Sequence, residues 1–171
     1  MIKRWLLLLI LTTAVLRAAE QLLFAPQGMD DWTGAVRKTT CVDGVYDTGC
    51  DLFVLISTQA FPIHPGRSYR LSGRFQLKPY APFGNIYFGL VCINAEGREL
   101  KRLYIGESPL NSRVAPGNKQ QVRNFPLTFQ GCVPSEKYSF PQGTTAVKVI
   151  LHQFEDYIVD MTFSDIRLIE E

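Results

Sequence analysis

The stretch "LKPYAPFGNIYF", Leu77–Phe88, brings Tyr80, Phe83 and Tyr87 close together along the chain, and the run before it, "SYRLSGRFQL", carries Arg74 and Gln76. Flat aromatic faces beside hydrogen-bond donors suit a polyhydroxylated ring. Its C–H face packs on the aromatic ring and its hydroxyls take the polar groups. Trp32 near the start of the domain, and Tyr104 and Arg123 further along, belong to the same set. Pro79, Pro82 and Gly84 mark a loop tip around Tyr80 and Phe83, a poor place to bury a ring. Inside a strand, by contrast, alternation alone turns half of all side chains toward the core.

The ionisable residues form no catalytic pattern. The sequence has only two histidines, His64 in a Pro-Gly turn and His152 in an apolar run, where a histidine satisfied by strand hydrogen bonds is the simpler reading. It lacks the GxSxG and HExxH patterns and any Gly-rich loop opening onto a helix, which would cradle phosphate. Glu155 and Asp156 are adjacent, so an extended chain points them to opposite faces. Glycoside hydrolysis needs two carboxyls facing across one bond. A non-catalytic protein that needs no cofactor is expected.

The N-terminus reads as an export signal. Lys3 and Arg4 precede the 12-residue apolar run Trp5–Leu16, and Ala18 and Ala19 offer a small-residue cleavage site. The run is too short for a mature bilayer-spanning helix, which needs about 20 residues. Residues 1–19 are therefore expected to be a signal peptide and residues 20–171 one secreted or periplasmic domain, with no membrane insertion of the mature chain. Losing Lys3, Arg4 and Arg17 takes the 18 basic residues to 15 against 16 acidic ones, a mature net charge of −1. That balance argues against nucleic acid, which calls for a basic patch or stripe.

Four cysteines fit an oxidising compartment. Cys41 and Cys50 flank the Gly- and Asp-rich "VDGVYDTG", which favours a hairpin-type disulfide contributing roughly 2–3 kcal/mol. Cys92 and Cys132 could pair, or Cys92 could be a small buried hydrophobe. Zinc is a weaker alternative in a chain with no CxxC and only two histidines.

The elements that must position these residues are strands. Period-two alternation dominates beyond the signal segment. Tyr69, Leu71, Phe75 and Leu77 share one face of a strand, and Arg70, Ser72, Arg74 and Gln76 share the other. Further strands are expected over Trp32–Lys38, Asp51–Thr58, Gly84–Asn94, Glu99–Gly106, Gln121–Gly131, Thr145–Phe154 and Ile158–Glu170. The break in alternation at "SD", Ser164-Asp165, predicts a bulge. About eight to nine short antiparallel strands with turns between them predict an all-β sandwich.

Three stretches, "STQAFPIHPGRSYRLSGRFQL", "FGLVCINAEGREL" and "VPSEKYSFPQGTTAVKVILHQFEDYIVDMTFSDIRLIEE", resemble the CenC-like carbohydrate-binding modules. The resemblance implies a jelly-roll β-sandwich that holds a poly- or oligosaccharide without cleaving it. It also implies a structural calcium held partly by an acidic residue of the last strand, a position occupied here by Asp165. The family's usual opening segment is replaced by "LLFAPQGMDDW". The expected ligand set is Trp32, Arg74, Gln76, Tyr80, Phe83, Tyr87, Tyr104 and Arg123. The alternative is a structural or protein-interaction sandwich of the envelope or matrix, using the same surface on a protein partner.

Overall fold

The computed structural model describes residues 19–34, 38–78, 85–105, 127–154 and 160–171. Among the described residues twelve strands form two antiparallel sheets. In chain order they are β1 (Gln21–Phe24), β2 (Trp32–Thr33), β3 (Thr40–Val42), β4 (Val45–Asp47), β5 (Val54–Ser57), β6 (Phe61–Pro62), β7 (Tyr69–Leu77), β8 (Asn85–Ile93), β9 (Glu99–Tyr104), β10 (Leu127–Val133), β11 (Ala146–Phe154) and β12 (Met161–Glu170). The first sheet runs β10-β7-β12-β4-β3, with β1 also paired to β12. The second runs β2-β5-β11-β8-β9, with β6 also paired to β11. From β7 onward every connection except the β8–β9 hairpin carries the chain to the other sheet. This is the jelly-roll β-sandwich that the alternation pattern and the resemblance imply.

Alternation decides which rows meet between the sheets. Tyr69, Leu71 and Phe75 of β7 and Met161, Phe163, Ile166 and Leu168 of β12 face Phe88 and Leu90 of β8 and Val147, Val149 and Leu151 of β11, all fully or nearly fully buried. Fully burying each such side chain contributes about 1.5–3 kcal/mol before the entropy of ordering it is subtracted. Aromatic rings thread this interior. Tyr46 lies flat on Phe163 at 4.7 Å, and Phe88 meets Phe75 and Phe129 edge-on at 5.3 and 5.7 Å. The Tyr46 hydroxyl donates to the Gly28 carbonyl at 3.0 Å, which gives its polar tip a partner.

One end of the sandwich is closed by a polar knot. The Glu170 carboxylate is held by His64 Nδ1 and Arg67 Nε, both at 3.0 Å, and the His64 backbone N–H donates to the Tyr69 hydroxyl at 2.6 Å. The turn at Pro65-Gly66 closes with a bond from Arg67 N–H to the His64 carbonyl at 3.2 Å. A carboxylate on the inward face of the last strand is tolerable because the Arg67 guanidinium and the His64 ring both bond to it.

Two expectations need correction. The strand expected over Trp32–Lys38 pairs only at Trp32 and Thr33, against Ser57 and Ile56, with residues 35–37 outside the described set. The Cys41–Cys50 disulfide is not formed, and all four cysteines are free thiols. The β3–β4 hairpin turns tightly at Asp43-Gly44 and sets Cys41 opposite Tyr46. Cys50 lies beyond the end of that hairpin at φ +54, so it is not the cross-strand neighbour of Cys41. Cys92 faces the core from the second sheet, while Cys132 shares the outward register of Arg70 on the first. Those two cannot pair either.

Candidate functional site

Strand register gathers two of the expected aromatics on the outer face of the second sheet. On β8 the even positions Ile86, Phe88, Leu90 and Cys92 face the core, so Tyr87 faces out. On β9 Leu103 and Ile105 face in, so Arg102 and Tyr104 face out. His152 of β11 is registered directly opposite Tyr87. The three rings form a cluster with centroid separations of 5.0 Å (Tyr87–Tyr104), 5.4 Å (Tyr87–His152) and 5.2 Å (Tyr104–His152). Both tyrosines are half-buried and His152 is buried. The face continues into an apolar group of Val91, Ile93 and Ile150, with Ile56 packed against it.

The electrostatics keep this cluster neutral and fix its orientation. Burial lowers the His152 pKa, and the positive charge of Arg102 lowers it further. The Tyr104 hydroxyl lies 3.2 Å from His152 Nδ1, where the neutral tautomer that carries its proton on Nε2 would accept a bond from it. Burial raises the Tyr104 phenol, with a hydrogen bond to Arg102 pulling the other way. Arg102 is itself gripped by both carboxylate oxygens of Glu99, at 2.8 Å from Nε and 3.2 Å from Nη2. The result is a patch with ring faces at its centre and a paired guanidinium and carboxylate at its edge.

The remaining expected residues do not join this patch. Arg74 and Gln76 are exposed on the outer face of the first sheet, on the far side of the core. A single surface containing them together with Tyr87 and Tyr104 is therefore not formed. Trp32 belongs to the core instead, 6% exposed and edge-on to Phe24 and Tyr46 at 5.2 and 6.1 Å. It points inward because its β2 position pairs with the inward-facing Ser57. Tyr80, Phe83 and Arg123 lie outside the described residues. His152 was absent from the expected ligand set. Only the β8–β11 register, which the sequence does not state, puts it beside Tyr87.

Asp165 sits in the expected bulge, exposed, with φ +53. Its surroundings do not suit calcium, which needs several oxygen ligands. Asp165 shares its concavity with the cationic side chains of Arg74 and Arg167. Among the described residues no group of three or more His, Cys, Asp or Glu converges on a metal position.

No protein-family model matches the chain, and no curated protein matches it. Among solved structures it is similar to one described as "CBM4 structure and function", with TM-score 0.46 and 13% identity over 82% of this chain and 80% of that one. It is also similar to the CBM22-1 xylan-binding domain from Paenibacillus barcinonensis, with TM-score 0.44 and 15% identity over 88% of this chain and 94% of that one. A tandem CBM22-1–CBM22-2 structure from the same organism gives TM-score 0.44 and 14% identity, over 88% of this chain and 46% of that one. Among the described residues no helix is long and apolar enough to cross a membrane.

Proposed function

We propose that this chain is an exported, non-catalytic carbohydrate-binding sandwich that holds a poly- or oligosaccharide on the outer face of its second sheet. The observation that carries the reading is the outward-facing trio of Tyr87, Tyr104 and His152. The outer face of a sandwich sheet is ordinarily polar, yet here the half-buried rings of Tyr87 and Tyr104 cluster beside the buried His152. The C–H face of a sugar ring would stack on Tyr87 or Tyr104, and its hydroxyls would bond to Arg102, Glu99 and the Tyr104 hydroxyl. Export rests on the Lys3-Arg4 start and the apolar run Trp5–Leu16.

The test is a glycan array on the mature protein, repeated with Tyr104→Ala and Tyr87→Ala. Binding of a defined glycan that both variants weaken about tenfold supports the proposal, since a stacked ring contributes on the order of 1–2 kcal/mol. Glycan binding that neither variant weakens, or no glycan binding at all, refutes it.

A further inference from the structure

The outer face of the first sheet carries a second, chemically different concavity of about 350 Å³, lined by Ser72, Gly73, Arg74, Thr128, Asp165 and Arg167. Its shape originates in the β12 bulge. Ser164 pairs with Arg74, and Arg167 pairs with Ser72, so Asp165 and Ile166 together oppose the single residue Gly73. The extra residue restores Ile166 and Leu168 to the core while Asp165 and Arg167 are exposed. Without the bulge, strict alternation from Phe163 would turn Asp165 inward and Ile166 outward. On the far side of Arg74, β10 contributes Thr128, directly opposite it.

Several cations elsewhere on the molecule are ion-paired. Arg67, Arg70, Arg102 and Lys78 each have at least one carboxylate within 4 Å. Among the described residues, Arg74 and Arg167 have none, although Asp165 shares their concavity. Asp165 receives only a long bond from Ser164 Oγ, at 3.4 Å. Two guanidinium groups without ion-pair partners, two hydroxyls and one carboxylate thus line the same groove.

We infer that this groove is a second binding site, for an acidic saccharide whose anionic group is taken by Arg74 and Arg167. A guanidinium presents its N–H groups in a planar fork that matches the oxygens of a carboxylate or a sulfate ester. Ser72 and Thr128 supply further donors at the groove floor. Asp165 is the selective element. It repels a bare anion but accepts a bond from a hydroxyl beside the anionic group, so the site favours an anion attached to a sugar. The site is separate from the Tyr87–Tyr104 face and does not depend on the function proposed for it.

The experiment is titration calorimetry of the mature protein at low salt with three probes: an oligogalacturonate, a chondroitin sulfate oligosaccharide and inorganic sulfate. Arg74→Gln, Arg167→Gln and Tyr104→Ala are run alongside. Binding of one of the two saccharides is expected, and which one binds assigns the anion as carboxylate or sulfate ester. Each arginine variant should weaken it roughly tenfold or more, the usual loss for a charge-assisted hydrogen bond. Tyr104→Ala should leave it unchanged, and added salt should weaken it. Amide shifts of Ser72 and Thr128 on titrating the unaltered chain give a readout independent of how the variants fold. Failure of both saccharides to bind, equal binding by the arginine variants, or inorganic sulfate binding as tightly as the saccharide would overturn the inference.

Discussion

Replacing Gly73 by alanine tests the β12 bulge, on which the exposure of Asp165 and Arg167 rests. Gly73 faces the core, and a Cβ there would lie 2.6 Å from Ile166 Cδ1 and 3.1 Å from two ring carbons of Phe75. Non-bonded carbons prefer about 3.5–4.0 Å, so Ile166 must shift by roughly 1 Å. Phe75 and Ile166 are 0% and 3% exposed and have little room to do so. Overpacking of this kind costs about 1–3 kcal/mol, offset by about 0.4–1 kcal/mol from stiffening the unfolded chain. The net expectation for Gly73→Ala is a loss of about 1 kcal/mol. Ile166→Val removes the clashing Cδ1 and by itself costs about 0.5–1.5 kcal/mol. In the double variant the methyl groups exchange places, so the combined loss should fall short of the sum by about 1 kcal/mol. Urea unfolding of the three variants, with unchanged m-values, measures this coupling. Additive losses, or a Gly73→Ala chain more stable than the parent, would show that Ile166 does not fill the space over Gly73. The register of β12 would then be wrong.

The depressed pKa of His152 has a definite sign for stability. The folded state disfavours the charged imidazole, through burial first and Arg102 second, so this contribution is intact above the unfolded value of about 6.5. It is lost as pH falls from that value through the folded one. Imidazole proton shifts in an NMR titration should give His152 a midpoint below the unfolded value, and Arg102→Gln should move it upward. A midpoint at or above the unfolded value refutes the burial argument. The cysteines give an independent check of the hairpin register. An alkylating reagent should label half-buried Cys41 and Cys50 in the native chain and leave Cys92, whose thiol burial pushes up to about 11, for the denatured one. Recovery of a Cys41–Cys50 disulfide in a non-reducing peptide map would contradict the placement of Cys50 beyond the hairpin, away from Cys41.

The long strands were legible because each carries enough alternating positions to declare a buried face. Expected Gly84–Asn94 and Thr145–Phe154 became Asn85–Ile93 and Ala146–Phe154, a residue or so from the sequence reading. Strands β1, β3, β4 and β6 were not read at all. They have only two to four residues each, and tertiary pairing creates them: β1 exists because Gln21–Phe24 lies along the end of β12, and β6 because Phe61-Pro62 lies along the start of β11. No local pattern of that length separates a strand from a loop.

The candidate site was half legible, and the missing half is topological. Alternation correctly turns Arg74 and Gln76 to the outside of one strand, and it allows Tyr87 to lie outside the next. Nearness along the chain then makes one surface of them. But β7 and β8 belong to different sheets, and "outside" is a different direction on each. The same two-sheet geometry joins residues far apart in sequence: His152 to Tyr87 and Tyr104 across the second sheet, and Arg167 to Arg74 across the first. The break in alternation at Ser164-Asp165 was the one local signal of this long-range arrangement. A strand that must bury Phe163, Ile166 and Leu168 on one face can do so only by absorbing an extra residue, and that residue places Asp165 and Arg167 beside Arg74. The row Arg70, Ser72, Arg74 and Gln76 is thereby divided by its partners. Arg70 is occupied by Glu20 and Glu171, while Arg74 faces the bulge with its guanidinium free of any described carboxylate.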